Sequence, residues 1–160
     1  MAIYMHIDGI DGGVSAKDYE DWIEIGGFDH QLIRPTKQVV AGDVRNRAPG
    51  NGRFAEMMIQ KNIDQASCDL YTHCAQAEVI PEIKIHVTHQ GKDETVSHIE
   101  YTLTNAIISM ISKSVNQSGA RETLTFNFTK FQERFIPYSA KHTATSPTSV
   151  GYDMENAVIM

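Results

Sequence analysis

The sequence predicts a mainly β fold: a compact β-barrel of two bent antiparallel sheets, flanked by one short α-helix and carrying a long extended loop. Three observations predict it. Period-2 alternation of apolar residues dominates the chain, whereas helical spacing occurs once. Two of the longest alternating runs change parity part-way. Such a change marks a bulge or bend, which a sheet curving towards closure needs.

In the first strand, Ile3, Met5 and Ile7 share one face and Tyr4, His6 and Asp8 the other. Asp11, Gly12 and Gly13 end it as a turn. Residues 22–28 read as a second strand with Ile23 and Ile25 inward, and Gly26-Gly27 signals a bulge or a close backbone approach. Residues 34–52 carry no period and contain Pro35, Gly42, Pro49, Gly50 and Gly52. Unstructured stretches of this length in a compact domain are often functional. Residues 54–61 read as a third strand.

The period then changes. Ile63, Ala66 or Ser67, Leu70, Cys74 and Ala77 recur at helical spacing, which predicts a helix over about 67–77. Ser67 suits the N-cap, Asp69 suits the first turn, and the helix must stop before Pro81. Alternation resumes with Ile83, Ile85 and Val87, turns at 91–93, and returns with Ile99, Tyr101 and Leu103. Around Asn105 the apolar set changes parity to Ala106, Ile108 and Met110. After a turn at 116–119 come Leu124, Phe126 and Phe128, with a second shift towards Phe131 and Phe135. Residues 139–149, rich in Ser, Thr and Ala, read as a linker. Residues 150–160 hold Tyr152, Met154, Val158, Ile159 and Met160, an apolar end that should dock on its own domain or on a neighbour. The organisation expected is a barrel domain over 1–138, a linker over 139–149 and a docking segment over 150–160.

Composition narrows the function. A chain of 160 residues fits one domain, and 41% apolar with 21% charged residues is globular rather than disordered. The net charge of −6 argues against a nucleic-acid partner. No apolar run approaches the roughly 18 residues of a membrane helix, so membrane insertion is not expected. The first residues lack a basic n-region and a long apolar core, which predicts no cleaved signal and synthesis in a cytoplasm. Cys68 and Cys74 on one helix would stand roughly 9 Å apart, too far for a disulfide, and read as buried structural thiols. The seven histidines form neither HExxH nor a paired CxxC pattern, and no G-x-S-x-G elbow or phosphate-binding glycine loop occurs. No catalytic residue, cofactor or metal is expected.

The loop is the most informative charged feature. Arg34, Lys37, Arg45 and Arg47 oppose only Asp43 within residues 34–52, giving +3 and leaving −9 on the rest of the chain. It has no aromatic residue to stack on bases. It suits docking on an acidic surface of another copy, a heterologous contact that closes into rings or propagates. Those four cations are the candidate interface residues.

Several segments together resemble a known family. Trp22-Ile23-Glu24-Ile25 precedes the long loop, Ile63-Asp64-Gln65-Ala66-Ser67 opens a helix containing Leu70-Tyr71, Glu122-Thr123-Leu124-Thr125-Phe126-Asn127-Phe128 forms the last long strand, and Gly151-Tyr152-Asp153 lies in the tail. In order and spacing this resembles the haemolysin-coregulated protein (Hcp) family, the tube protein of bacterial type VI secretion, over nearly the whole chain. The family often has His where Tyr19 stands, Ser near Gly27 and Pro at the position of Cys68. The resemblance implies a non-enzymatic subunit of hexameric rings that stack into a hollow tube. Its implied partners are further copies of itself, a contractile sheath, a spike protein and effector proteins in the lumen. It also implies release from the bacterial cytoplasm through the secretion apparatus. A monomeric β-barrel binding a small ligand is the alternative, disfavoured because Ile, Leu, Phe and Met fill the inward positions.

Overall fold

A computed structural model describes residues 1–37, 41–42, 50–90, 95–138 and 144–160. The strands are β1 (Ala2–Ile7), β2 (Ile23–Ile25), β3 (Gly27–Asp29), β4 (Leu32–Ile33), β5 (Arg53–Phe54), β6 (Met57–Asn62), β7 (Ile80–Gln90), β8 (Thr95–Asn116), β9 (Gly119–Asn127), β10 (Lys130–Phe135), β11 (Thr148–Asp153) and β12 (Val158–Ile159). The helix α1 spans Ser67–Gln76. The larger sheet runs β12-β11-β10-β8-β7-β1-β2, and the smaller one β3-β6-β9-β8, all antiparallel.

Strand β8, 22 residues long, belongs to both sheets. Tyr101 and Leu103 are buried, Asn105 is exposed, and then Ala106 and Ile108 are buried. The parity change falls where the sequence places it. Asn105 adopts φ +50°, a left-handed conformation that asparagine tolerates better than most residues. A second reversal follows: the pairing with β9 shifts between Ile108 and Met110, so Met110 points out and Ile111 packs on the core. The sequence reading put Met110 inward because a bulge at Ser109 has no apolar signature. Opposite the bend, β9 gives way to β10, and the Thr129 N–H donates to the Thr104 carbonyl at 3.1 Å.

The second corner differs from expectation. Residues 22–28 form two short strands, not one. β2 pairs with β1 and β3 with β6, while between them the Gly26 N–H donates to the Gln60 carbonyl at 2.7 Å. The ladder breaks there, so the mainly β class and single helix hold, but the two sheets do not close into a continuously paired barrel.

The core between the sheets contains Met5, Ile7, Ile23, Met57, Ile59, Ile83, Ile85, Leu103, Leu124 and Phe126, all nearly inaccessible. Leu70 of α1 is buried in it and Cys74 packs on its edge. The helix ends at Ala77, whose φ of +51° turns its N–H and that of Glu78 back to the Cys74 and His73 carbonyls. Ser67 is the first helical residue rather than the N-cap; Ala66 holds that position without a side-chain cap. Both thiols are free, and Cys68 is exposed because it faces away from Leu70's side of the helix.

The segment after β1 returns along the start of β2. Gly12 donates to the Asp21 carbonyl at 2.7 Å and Val14 to the Trp22 carbonyl at 3.1 Å. A Cβ on Gly12 would lie 2.1 Å from the Trp22 carbonyl oxygen, against backbone that cannot rotate away. At the other edge, β11 extends the large sheet by pairing with β10 from Thr148↔Phe135 to Asp153↔Lys130, and Met160 lies over Gly151. Gly12→Ala is expected to lower stability by about 1–3 kcal/mol through this overlap. The check is a lower denaturant midpoint at unchanged slope.

Candidate assembly surfaces

The long loop leaves the body through a narrow neck. Leu32 and Ile33 of β4 pair with Phe54 and Arg53 of β5, and the Ala55 N–H donates to the Gln31 carbonyl at 2.8 Å. The two ends of residues 34–52 are therefore held side by side. Beneath the neck, Phe54 packs between Phe131 (5.4 Å between ring centres) and Tyr152 (5.2 Å). This ties the neck to β10 and to the tail strand β11. Leu32 and Ile33, 59% and 53% exposed, present apolar surface beside it. Arg34 and Lys37 are exposed just beyond it. Arg45 and Arg47, the other two sequence candidates, lie outside the described residues.

A buried ion pair sits at the other end of β6. Lys61 Nζ lies 2.8 Å from Glu122 Oε1 and 2.7 Å from Asp64 Oδ1, with both the Lys61 and Glu122 side chains fully buried. Ser67 Oγ donates to the same Glu122 oxygen at 2.7 Å and accepts from the Asp64 N–H at 3.0 Å. Sequence reasoning missed this cluster although a signal existed. Lys61 follows Met57 and Ile59 at inward parity, and Glu122 precedes Leu124 and Phe126 in the same way.

The outward face of the large sheet is polar and aromatic. Tyr19 and Trp22, from the segment before β2, cover His86 on β7: Tyr19 Oη and His86 Nδ1 are 3.2 Å apart, and the Trp22 and His86 rings lie 4.8 Å apart. Burial pushes the His86 imidazole below its ordinary range, against the pull of Glu100. Burial likewise raises the Glu100 carboxyl, but the Ser97 hydroxyl, His86 and Arg134 together outweigh it and hold it low. Arg134 Nη1 lies 3.0 Å from Glu100 Oε2. Tyr19 is pushed up to about 12, chiefly by burial.

In the tail, Asp153 accepts from the Glu155 and Asn156 N–H groups and from Asn156 Nδ2, and pairs with Lys130 at 3.1 Å. The Asn156 hydrogen bonds chiefly hold its carboxyl down at about 2. Among the described residues, no three His, Cys, Asp or Glu side chains converge as metal ligands, and no helix is long and apolar enough to cross a membrane.

The model of the family described as type VI secretion system effector, Hcp, matches residues 4–135 of this chain. The chain belongs to the Hcp family. Hcp structures share its fold at low identity. A structure described as a type six secretion system protein superposes with a TM-score of 0.90 at 18% identity, covering 99% of both chains. Hcp1 from Salmonella typhimurium gives 0.79 at 19% identity, covering 99% of this chain and 98% of its own. A type VI secretion effector from Yersinia pestis gives 0.76 at 18%, covering 94% and 98%. No protein of curated function matches the sequence. The Hcp match runs from within β1 through the loop and the helix and ends where β10 ends, short of β11 and β12.

Two outcomes follow from this geometry. Lys61→Ala, which leaves Glu122 buried without its cation, should destabilise this Hcp chain by about 3–5 kcal/mol. Lys61→Met with Glu122→Leu should cost less, and chemical denaturation of both variants compares them. The lowered His86 pKa fixes the sign of a pH effect. The folded state prefers neutral imidazole, so the unfolded state binds more protons between the folded pKa and the ordinary 6.5. Stability should therefore fall as pH is lowered from 6.5 through that window, and His86→Gln should flatten the slope in denaturation at stepped pH.

Proposed function

We propose that this Hcp-family chain is a structural tube subunit of a bacterial type VI secretion apparatus. Six copies form a ring, and rings stack into a hollow tube inside a contractile sheath. A spike protein caps the tube, and effector proteins travel in its lumen. The chain is made in the bacterial cytoplasm and leaves through the apparatus without a cleaved signal, acting as a carrier rather than an enzyme. The family match across residues 4–135 carries this reading.

The geometry supports it. Two sheets sharing one 22-residue strand make a stiff wall, and Arg34 and Lys37 are exposed just beyond the paired neck. The four cations Arg34, Lys37, Arg45 and Arg47 support contacts between copies, drawn to a body of opposite charge. One exposed pair contributes only about 0.2–1 kcal/mol, but a ring repeats each contact six times, so about 1–6 kcal/mol accumulates. The ligand-binding alternative is weakened by the filled interior. One hollow, of about 600 Å³ and lined by Tyr4, Glu24, Asn62 and Asp64 among others, opens on the surface rather than between the sheets.

Light scattering behind a sizing column, at low and high salt, tests the proposal. The expected mass is six times 17.9 kDa, about 107 kDa, with larger species that shrink as salt screens the loop. Arg45→Glu with Arg47→Glu should remove the larger species or the ring itself. A strict monomer at high concentration would overturn the tube reading, and unchanged assemblies in that variant would exclude the loop cations.

A further inference from the structure

We propose that Met58 and Met110, which flank Thr125 on the outer face of the small sheet, form an oxidation site. A peroxide converts their thioethers to sulfoxides, and a sulfoxide oxygen accepts the hydrogen bond that the buried Thr125 hydroxyl lacks. This is independent of the assembly reading above.

The register brings the three side chains together. Thr125 of β9 stands opposite Met58 of β6 on one side and Met110 of β8 on the other. Directly opposed residues share a face, with Cβ atoms roughly 4.5–5.5 Å apart. The bulge at Ser109 sets this arrangement. Ile108 pairs with Phe126, so a regular ladder would put Ser109 opposite Thr125 and turn Met110 inward. The bulge moves Met110 into that place instead, re-aiming its side chain to the outer face.

Access and an unpaired donor meet in this row. Met58 and Met110 are 39% and 42% exposed, so an oxidant in solution reaches them. Thr125 between them is only 8% exposed, although Leu124 and Phe126 beside it face the core and it faces out. Its Oγ1 is buried and has no hydrogen-bond partner among the described residues. The polar groups nearby are engaged with one another. Ser109 Oγ lies 2.9 Å from Glu56 Oε2 and 3.1 Å from the Thr125 carbonyl oxygen, and Asn127 Nδ2 donates to Glu56 Oε1 at 3.1 Å. A buried hydroxyl without a partner is costly and rare. The flanking thioether sulfurs are only weak acceptors.

Oxidation supplies the missing acceptor. The methionine sulfur attacks one oxygen of hydrogen peroxide; an S–O bond forms as the O–O bond breaks, and the second oxygen leaves as water with both protons. The thioether gives up two electrons and the peroxide takes them. The product is a polar acceptor on a flexible side chain, set beside a donor that has no other partner. A sulfoxide ordinarily disrupts the packing of a methionine. At these two positions part of that loss is offset by the Thr125 hydrogen bond. Met5 and Met57, inaccessible in the core, are shielded from the oxidant.

The test uses the full chain with Met154→Leu and Met160→Leu, exchanges of similar volume, so that Met1 is the one other accessible methionine. The folded protein is treated with hydrogen peroxide and its peptides are weighed. Met58 and Met110 should each gain one oxygen while Met5 and Met57 stay unchanged. No gain at Met58 and Met110 would overturn the proposal. Chemical denaturation then compares stability before and after oxidation, with and without Thr125→Val. Before oxidation, Thr125→Val should leave stability unchanged or higher, because it removes an unpaired hydroxyl. After oxidation, the chain with Thr125 should lose less than the Thr125→Val chain, by about fivefold in the folding equilibrium constant. Thr125→Ser, which keeps the hydroxyl, should follow the chain with Thr125. Equal losses with and without the hydroxyl, in chains folded by circular dichroism, would overturn the proposal. So would a destabilised or unfolded Thr125→Val chain before oxidation, since the hydroxyl would then already hold a partner.

Discussion

Strand β8 must serve two sheets at once, and the left-handed backbone at Asn105 makes that possible. A regular strand sends alternate side chains to fixed faces, so one strand crossing from one sheet to another would turn its apolar residues out of the core. At Asn105 the inward set changes from Tyr101 and Leu103 to Ala106 and Ile108, and the bulge at Ser109 changes it back. A left-handed residue costs roughly 1–2 kcal/mol for most side chains and less for asparagine. The return is a continuous core from Ile83 and Leu103 on one sheet to Ile59 and Phe126 on the other. The β9–β10 junction follows the same bend on the neighbouring chain segment.

The other corner is built on the opposite principle. Gly26 breaks the ladder instead of bending it, and the end of β6 beside the break carries Lys61 inward. Closing this seam would bury still more surface around a charge already satisfied by Glu122 and Asp64, so the apolar incentive to close is missing. The polar cluster fixes where α1 begins and holds β6 to β9 across the small sheet. One corner of the molecule is sealed by packing and the other is left open by charge.

These two corners place the surfaces that matter for an Hcp-family chain. The sealed body supports a loop neck anchored by Phe54 against Phe131 and Tyr152. The tail therefore does more than fill an edge: β11 braces the loop base, and Asp153 locks the turn into β12. The open seam and the acidic segment over 8–24 lie away from that neck.

Much of this was legible in the sequence. Alternation and its loss are local properties, so the mainly β class, the one helix near 67–77 and the reversal at Asn105 could be read from apolar spacing. The +3 loop against a −9 body was likewise plain arithmetic. Partnership was not legible. Whether Gly26 bulges or breaks the ladder depends on Gln60, distant in sequence. Ser67 has the chemistry of a cap, but it lies one residue inside the helix, where its hydroxyl donates to the buried Glu122 carboxylate, 55 residues on. Cys68 is exposed only because Leu70 and Cys74 define the helix face that docks. Local pattern determines which residues seek burial and at what period; tertiary packing decides which distant groups satisfy the polar ones, because the cost of an unpaired buried charge or hydrogen-bonding group is settled only by what arrives beside it.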